Sequence, residues 1–249
     1  MGGCMLARRL VWLVAGLLVS GSALGEFKPD PTALVKDLES IDRSDERFTL
    51  VLWLPTEFWR ASLEGKVAPK EAEKFLKELD PYVVVAVADG ATGIAGSVTF
   101  SEPDLVKSAV TIEDRSGNLL SPLPDSQVSA GLRNLMQMMR PMFGNMLGAL
   151  GTHLAFVAFP GREKGGRRTV EATREGTFVV HVGPSSVRYR LPLGSLLPPA
   201  VDEKTGESFP GNYQFNPFTG NKLKPVPAGT APPPAEAPAA PVDPKSPTG

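Results

Sequence analysis

Cysteine is nearly absent from this 249-residue chain: Cys4 stands alone. It precedes an apolar run near the N-terminus, in a segment that reads as a removable leader, so the remaining chain has no disulfide and no thiol site. Its stability must come from packing. Histidine is almost as scarce, with only His153 and His181. His153 opens the apolar stretch 153–159, and His181 alternates with Val180 and Val182. Those are positions of structural or surface histidines rather than of a paired base. The chain also lacks a G-x-S-x-G nucleophile elbow, an H-E-x-x-H zinc helix and a P-loop. Gly90, Gly93 and Gly96 have G-x-x-G-x-x-G spacing, but no phosphate-binding helix follows, and a hairpin turn accounts for them. No catalytic residue, cofactor or metal ligand is assigned on these patterns.

Nor is there an excess of charge of one sign. Lys and Arg number 26 against 27 acids. Removing Arg8 and Arg9 with the leader leaves 24 against 27, a balance of −3. That argues against a general nucleic-acid or anionic-membrane binder. Long apolar runs are missing as well. Leu10–Val19 is ten residues long, the length of a signal h-region and too short to span a bilayer. Arg8 and Arg9 precede it, and Ala23-Leu24-Gly25 suits a cleavage site. Residues 1–25 therefore read as a signal peptide, with a mature start at Glu26, export to the periplasm or exterior, and no stable transmembrane segment.

The body of the chain mixes helical and strand patterns. Helices are expected at 30–41, with Asp30 as cap and Pro31 at the first position; at 56–63, capped by Thr56; and at 69–79, with Ala72, Phe75, Leu76 and Leu79 turned inward. The acids Asp37, Glu39, Asp42, Asp45 and Glu46 read as a helix end and its solvated linker. Strands are expected at 48–54, 82–88, 94–100, 109–113, 119–123, 153–159, 177–182 and 187–191, with a turn at 89–93 joining the second and third. The segment 102–107 has no clear pattern.

The stretch 132–150 (LRNLMQMMRPMFGNMLGAL) holds five of the seven methionines. Leu132, Met136, Met139, Phe143, Met146 and Leu150 recur at helical spacing, and Leu135, Met138, Met142 and Leu147 widen that face. A helix so apolar is expected to be largely covered, and Pro141 is expected to kink or break it. Its thioethers admit a copper(I) carrier reading, but methionine is first a core filler. The absence of a βαβ rhythm predicts an α+β domain over 26–199, with a mixed or mostly antiparallel sheet packed on this helix. The last 25 residues contain nine prolines and six alanines, a composition with little to bury, so 225–249 reads as a disordered tail.

Between these lies a pair of like-spaced turns. Asp202-Glu203-Lys204-Thr205-Gly206 is followed, ten residues on, by Asn216-Pro217-Phe218-Thr219-Gly220 and then Leu223. The spacing resembles a zinc ribbon, C-x-x-C-G … C-P-x-C-G-x-x-L, over about 22 residues, with Phe215, Pro217, Gly220 and Leu223 suiting its second knuckle. The resemblance implies a small β-hairpin appendage at 200–224. Its metal does not carry over. Asp202, Thr205, Asn216 and Thr219 stand where thiolates belong, and hydroxyl and amide oxygens are poor ligands for structural zinc. Hydrogen bonds are the expected substitute. Elsewhere, Arg162, Lys164, Arg167 and Arg168 form a basic turn able to meet an anionic partner. By overall look the chain is similar to uncharacterised secreted bacterial proteins that end in such a piece. The expected function is non-enzymatic binding or scaffolding in the cell envelope, with another envelope protein as partner. The alternatives are a secreted hydrolase assembled by the fold, or a small-ligand or copper carrier.

Overall fold

The computed structural model describes residues 27–226. The expected leader, and the tail beyond residue 226, lie outside the described residues. In chain order the elements are α1 (Pro31–Leu38), β1 (Glu39–Arg43), β2 (Arg47–Trp53), α2 (Thr56–Leu63), α3 (Pro69–Leu79), β3 (Tyr82–Thr92), β4 (Val98–Phe100), α4 (Pro103–Ala109), β5 (Val110–Glu113), β6 (Leu119–Leu120), α5 (Ala130–Leu147), α6 (Ala149–Thr152), β7 (Ala155–Pro160), β8 (Gly176–Val182), β9 (Ser185–Leu191), β10 (Ala200–Val201), β11 (Ser208–Phe209) and β12 (Lys224–Pro225). The fold is α+β, and every strand pair among the described residues is antiparallel.

β3 is the axis. Along one edge it pairs with β2, which pairs with β1; along the other it pairs first with β7 and then, past Ala88, with β4. A second sheet runs β6-β5-β8-β9. Successive residues of a strand point to opposite faces, and both faces of the central sheet are covered. Val51, Trp53, Val85, Val157 and Phe159 meet Ile112, Phe178, Val180 and Tyr189 of the second sheet. Leu50, Val84, Ala86, Phe156 and Ala158 meet Leu132, Met139 and Phe143 of α5 and Leu79 of α3. Double coverage explains why these strands read as continuous apolar runs rather than alternating ones.

Two buried polar anchors interrupt this packing. Tyr189 donates its hydroxyl between the carbonyls of Leu38 (3.0 Å) and Val51 (3.1 Å), and its burial pushes the phenol up from its ordinary value. Asp89 faces Thr49 across the β2–β3 ladder, accepts its hydroxyl at 2.8 Å and takes a bidentate Arg47 at 2.9 and 2.7 Å.

Several elements depart from the sequence reading. The 89–93 turn does not form: β3 continues to Thr92, a 3₁₀ turn occupies Ile94–Gly96, and the partner strand shrinks to Val98–Phe100. Pairing with Arg47 and Thr49 holds Asp89 in the strand. The segment after α1 is the edge strand β1, not a linker. Residues 103–109 are helical. Thr56 is the first residue of α2 rather than its cap, and no side chain caps that end. His153 follows α6 instead of opening β7. The tail's first residue, Pro225, belongs to β12.

α5 is the largest correction. Leu132, Met139 and Phe143 are buried, yet Met138 is 68% and Met142 53% exposed, and Leu147 is exposed too. One sheet face covers one stripe of the helix, and no described element covers the other. Helix α5 also runs unbroken through Pro141. The missing N–H would have bonded the carbonyl of Gln137; both residues are exposed, on the side of the helix that solvent reaches.

Candidate functional site

The two like-spaced turns come together at the C-terminal end of the described chain, flanked by the three short strands β11-β10-β12. Each turn is built by the same backbone bonds. In the first, Gly206 N–H donates to the carbonyl of Asp202 at 2.7 Å, and Asp202 N–H to that of Glu207 at 3.0 Å. In the second, Gly220 donates to Asn216 at 2.9 Å, and Asn216 to Asn221 at 2.8 Å. Side-chain caps match as well: Asp202 Oδ1 accepts from Lys204 N–H at 2.9 Å, and Asn216 Oδ1 from Phe218 N–H at 2.9 Å. Gly206 and Gly220 sit at φ of 77° and 73°, left-handed conformations that L side chains adopt only with strain. The D-x-x-T-G and N-x-x-T-G spacings are therefore the local code for one repeated turn.

Between the turns, the four positions that stand where a zinc ribbon has ligands join through hydrogen bonds. Asp202 is 1% exposed, and Asn216 is equally buried. Asp202 Oδ2 accepts from Asn216 Nδ2 at 2.7 Å, Asn221 Nδ2 at 3.0 Å and Thr219 Oγ1 at 3.1 Å. Thr205 enters through Glu207, whose Oε2 accepts from Thr205 Oγ1 at 3.0 Å and from Asn216 Nδ2 at 3.1 Å. The Asn221 amide, with Lys204 N–H, Asn216 and Thr219, holds the Asp202 carboxyl well below the usual carboxylate range, outweighing the opposite push of burial. A buried carboxylate is tolerated when its lone pairs are fully engaged. Glu207 and Asn221 were not singled out from sequence. The signal for them was their shared place immediately after each Thr-Gly.

This hydrogen-bonded unit carries aromatic rings on its outside. Phe218, at the tip of the second turn, is 84% exposed and Phe215 is 55% exposed; Tyr213 is also exposed and stacks on Phe209. Pro217, the remaining residue of that knuckle, is likewise on the surface.

The basic turn is differently arranged. Arg162 and Arg168 both bind Asp80 at the end of α3, the former at 2.7 Å, and Arg167 binds Glu163 at 2.8 Å. The Arg162 hydrogen bond and both guanidinium charges keep the Asp80 carboxyl below its ordinary range. Three of the four cations are thus committed within the chain. Lys164 alone has no hydrogen bond or ion pair among the described residues. The two histidines stay apart: His181 Nε2 meets Glu113 at 2.8 Å, while His153 Nδ1 meets the Ala149 carbonyl at 2.8 Å and its ring stacks on Phe100. Among the described residues, no three His, Cys, Asp or Glu side chains form a group that could hold a metal ion. Met138 and Met142 face outward while Met139 faces the core, so the α5 thioethers are split between two surfaces. No helix among the described residues is long and apolar enough to cross a membrane.

No family model matches this chain, and neither a curated protein nor a solved structure does.

Proposed function

We propose that this chain is an exported, non-enzymatic binding or scaffolding protein of a bacterial cell envelope, and that its C-terminal double turn is the contact surface for another envelope protein. In this reading the double turn is a zinc-ribbon-like piece in which the Asp202 carboxylate holds the centre. What supports it is one observation: Tyr213, Phe215 and Phe218 are exposed on a unit whose own interior is polar and fully bonded. Tyr213 stacks on Phe209, while Phe215 and Phe218 turn most of their surface to solvent. Exposed apolar patches mark interaction surfaces, and aromatic anchors dominate binding energies. Burying one such ring against a partner is worth about 1.5–3 kcal/mol.

Cross-linking in intact cells, followed by envelope fractionation and mass spectrometry, tests the reading. The expected result is a reproducible heteromeric adduct mapping to residues 202–223 and lost in Phe218→Ser. A soluble monomer without adducts, or an adduct indifferent to Phe218→Ser, would overturn it.

A further inference from the structure

A separate feature lies on another part of the molecule. A cavity of about 450 Å³ opens between the start of the described chain, α2 and α3. Its walls are apolar, formed by Phe27, Ala61, Leu63, Val67, Leu76 and Leu196. That volume is in the range of small-ligand sites, which combine apolar walls with a few polar groups.

The charges around the cavity are unequally engaged. Lys28 pairs with Glu64 at 2.5 Å, and Arg60 pairs with Glu73 at 3.3 Å. Both lining cations are therefore already held by carboxylates. Glu57, in the first turn of α2, lines the same cavity, and its side chain has no hydrogen bond or ion pair among the described residues. Three carboxylates against two cations leave an excess negative charge, carried by the side chain that lacks a partner. Among the described residues that line the cavity, no cation is left to receive an anionic ligand.

We propose that this cavity binds an amphiphile with an apolar chain or ring body and a cationic, hydrogen-bond-donating head, the body filling the space between α2 and α3 and the head meeting Glu57. The site is independent of the double turn, since none of its walls comes from residues 200–226.

The test is a fluorescence titration of the full protein, processed as the cell processes it, with the neutral apolar dye N-phenyl-1-naphthylamine, followed by displacement with decylamine or decanoate. Saturable uptake at one site is expected, with decylamine displacing the dye at concentrations about tenfold lower than decanoate. Glu57→Gln should remove most of that difference and leave dye uptake intact. Ala72→Trp, which projects into the cavity from α3, should abolish uptake. Should that variant fail to fold, Val67→Lys at the exposed wall should weaken uptake without threatening the core. Absence of uptake by the folded protein would overturn the proposal, including the case in which another segment of the chain fills the space. So would equal displacement by amine and acid, or uptake unaffected by both Ala72→Trp and Val67→Lys.

Discussion

Asn216 donates its side-chain amide to Asp202 Oδ2 at 2.7 Å, and this bond between two buried residues joins the two like turns. Asp202 Oδ2 also receives Thr219 and Asn221, so a single oxygen collects three donors from the opposite turn. Asp202→Ala should release the second turn. The expected reading is faster hydrogen exchange at the Gly206 and Gly220 amides and proteolytic cleavage between residues 202 and 221, with the melting of the main sheets little changed. Unaltered exchange in this variant would show that the strands alone hold the unit.

The convergence of Asp202, Asn216 and Thr219, with Thr205 brought in through Glu207, predicts a gain of function. Asp202→Cys, Thr205→Cys, Asn216→Cys and Thr219→Cys together supply four thiolates at ribbon spacing, the donor set that zinc prefers in closed tetrahedral sites. Elemental analysis of the purified quadruple variant should find zinc at a one-to-one ratio. A variant that folds but stays metal-free would mean that the two turns lie outside ligand geometry.

Acid should loosen the same unit. The Asp202 carboxyl is held below its ordinary range, chiefly by the Asn221 amide. A group whose folded pKa is depressed contributes stability that is present above the unfolded value, about 4 for a carboxyl, and is lost as pH falls toward the folded value. Protection of the Gly206 and Gly220 amides should be flat from neutrality to about pH 5 and then decline with further acidification. Asp80, depressed in the same direction by Arg162 and Arg168, should likewise release the basic turn as pH falls below the ordinary carboxyl range. Protection that does not change down to about pH 2 would contradict the assignment.

Two faces of α5 should respond differently. Leu132→Ala removes a fully buried side chain from the contact with β7 and β3, at a cost of about 2–5 kcal/mol. Met138→Ser and Met142→Ser alter exposed positions and should each change stability by no more than about 0.5 kcal/mol. Urea denaturation of the three variants separates these values. A cost above about 2 kcal/mol for either methionine change would show that the outward face is covered in solution.

Tyr189→Phe should cost about 1–3 kcal/mol, because the carbonyls of Leu38 and Val51 lose a shared buried donor while the ring keeps its packing. Thermal denaturation measures it, and a neutral outcome would mean that water replaces the hydroxyl.

Much of the fold was legible locally. Runs such as YVVVAVA and FTLVLWL, short and rich in β-branched and aromatic residues, read as buried strands, and α3 follows from its periodicity and Pro69. The two turns were legible because Gly206 and Gly220 close a repeated spacing with backbone bonds of short range. The remaining features depend on what lies opposite. Glu39–Arg43 is a strand only because β2 offers its edge. Asp89 stays extended only because Arg47 and Thr49 face it, where its own neighbours spell a turn. The apolar width of α5 said that the helix seeks cover, but how much cover exists is set by the area of the sheet beneath it, so Met138 and Met142 remain outside. The exposure of Phe218 is of the same kind, since composition cannot say on which side of a turn the core lies.

What the sequence alone determined, then, was the class of the fold, the buried strands and the repeated turn, each governed by contacts among near neighbours. Only the tertiary structure decided that Asp202 lies beneath three donors from the other turn, that Glu57 faces an apolar cavity whose cations are already paired, and that aromatic rings stand on the outside of the double turn. Those relations join residues far apart in the chain, and no local rule of spacing or propensity encodes them.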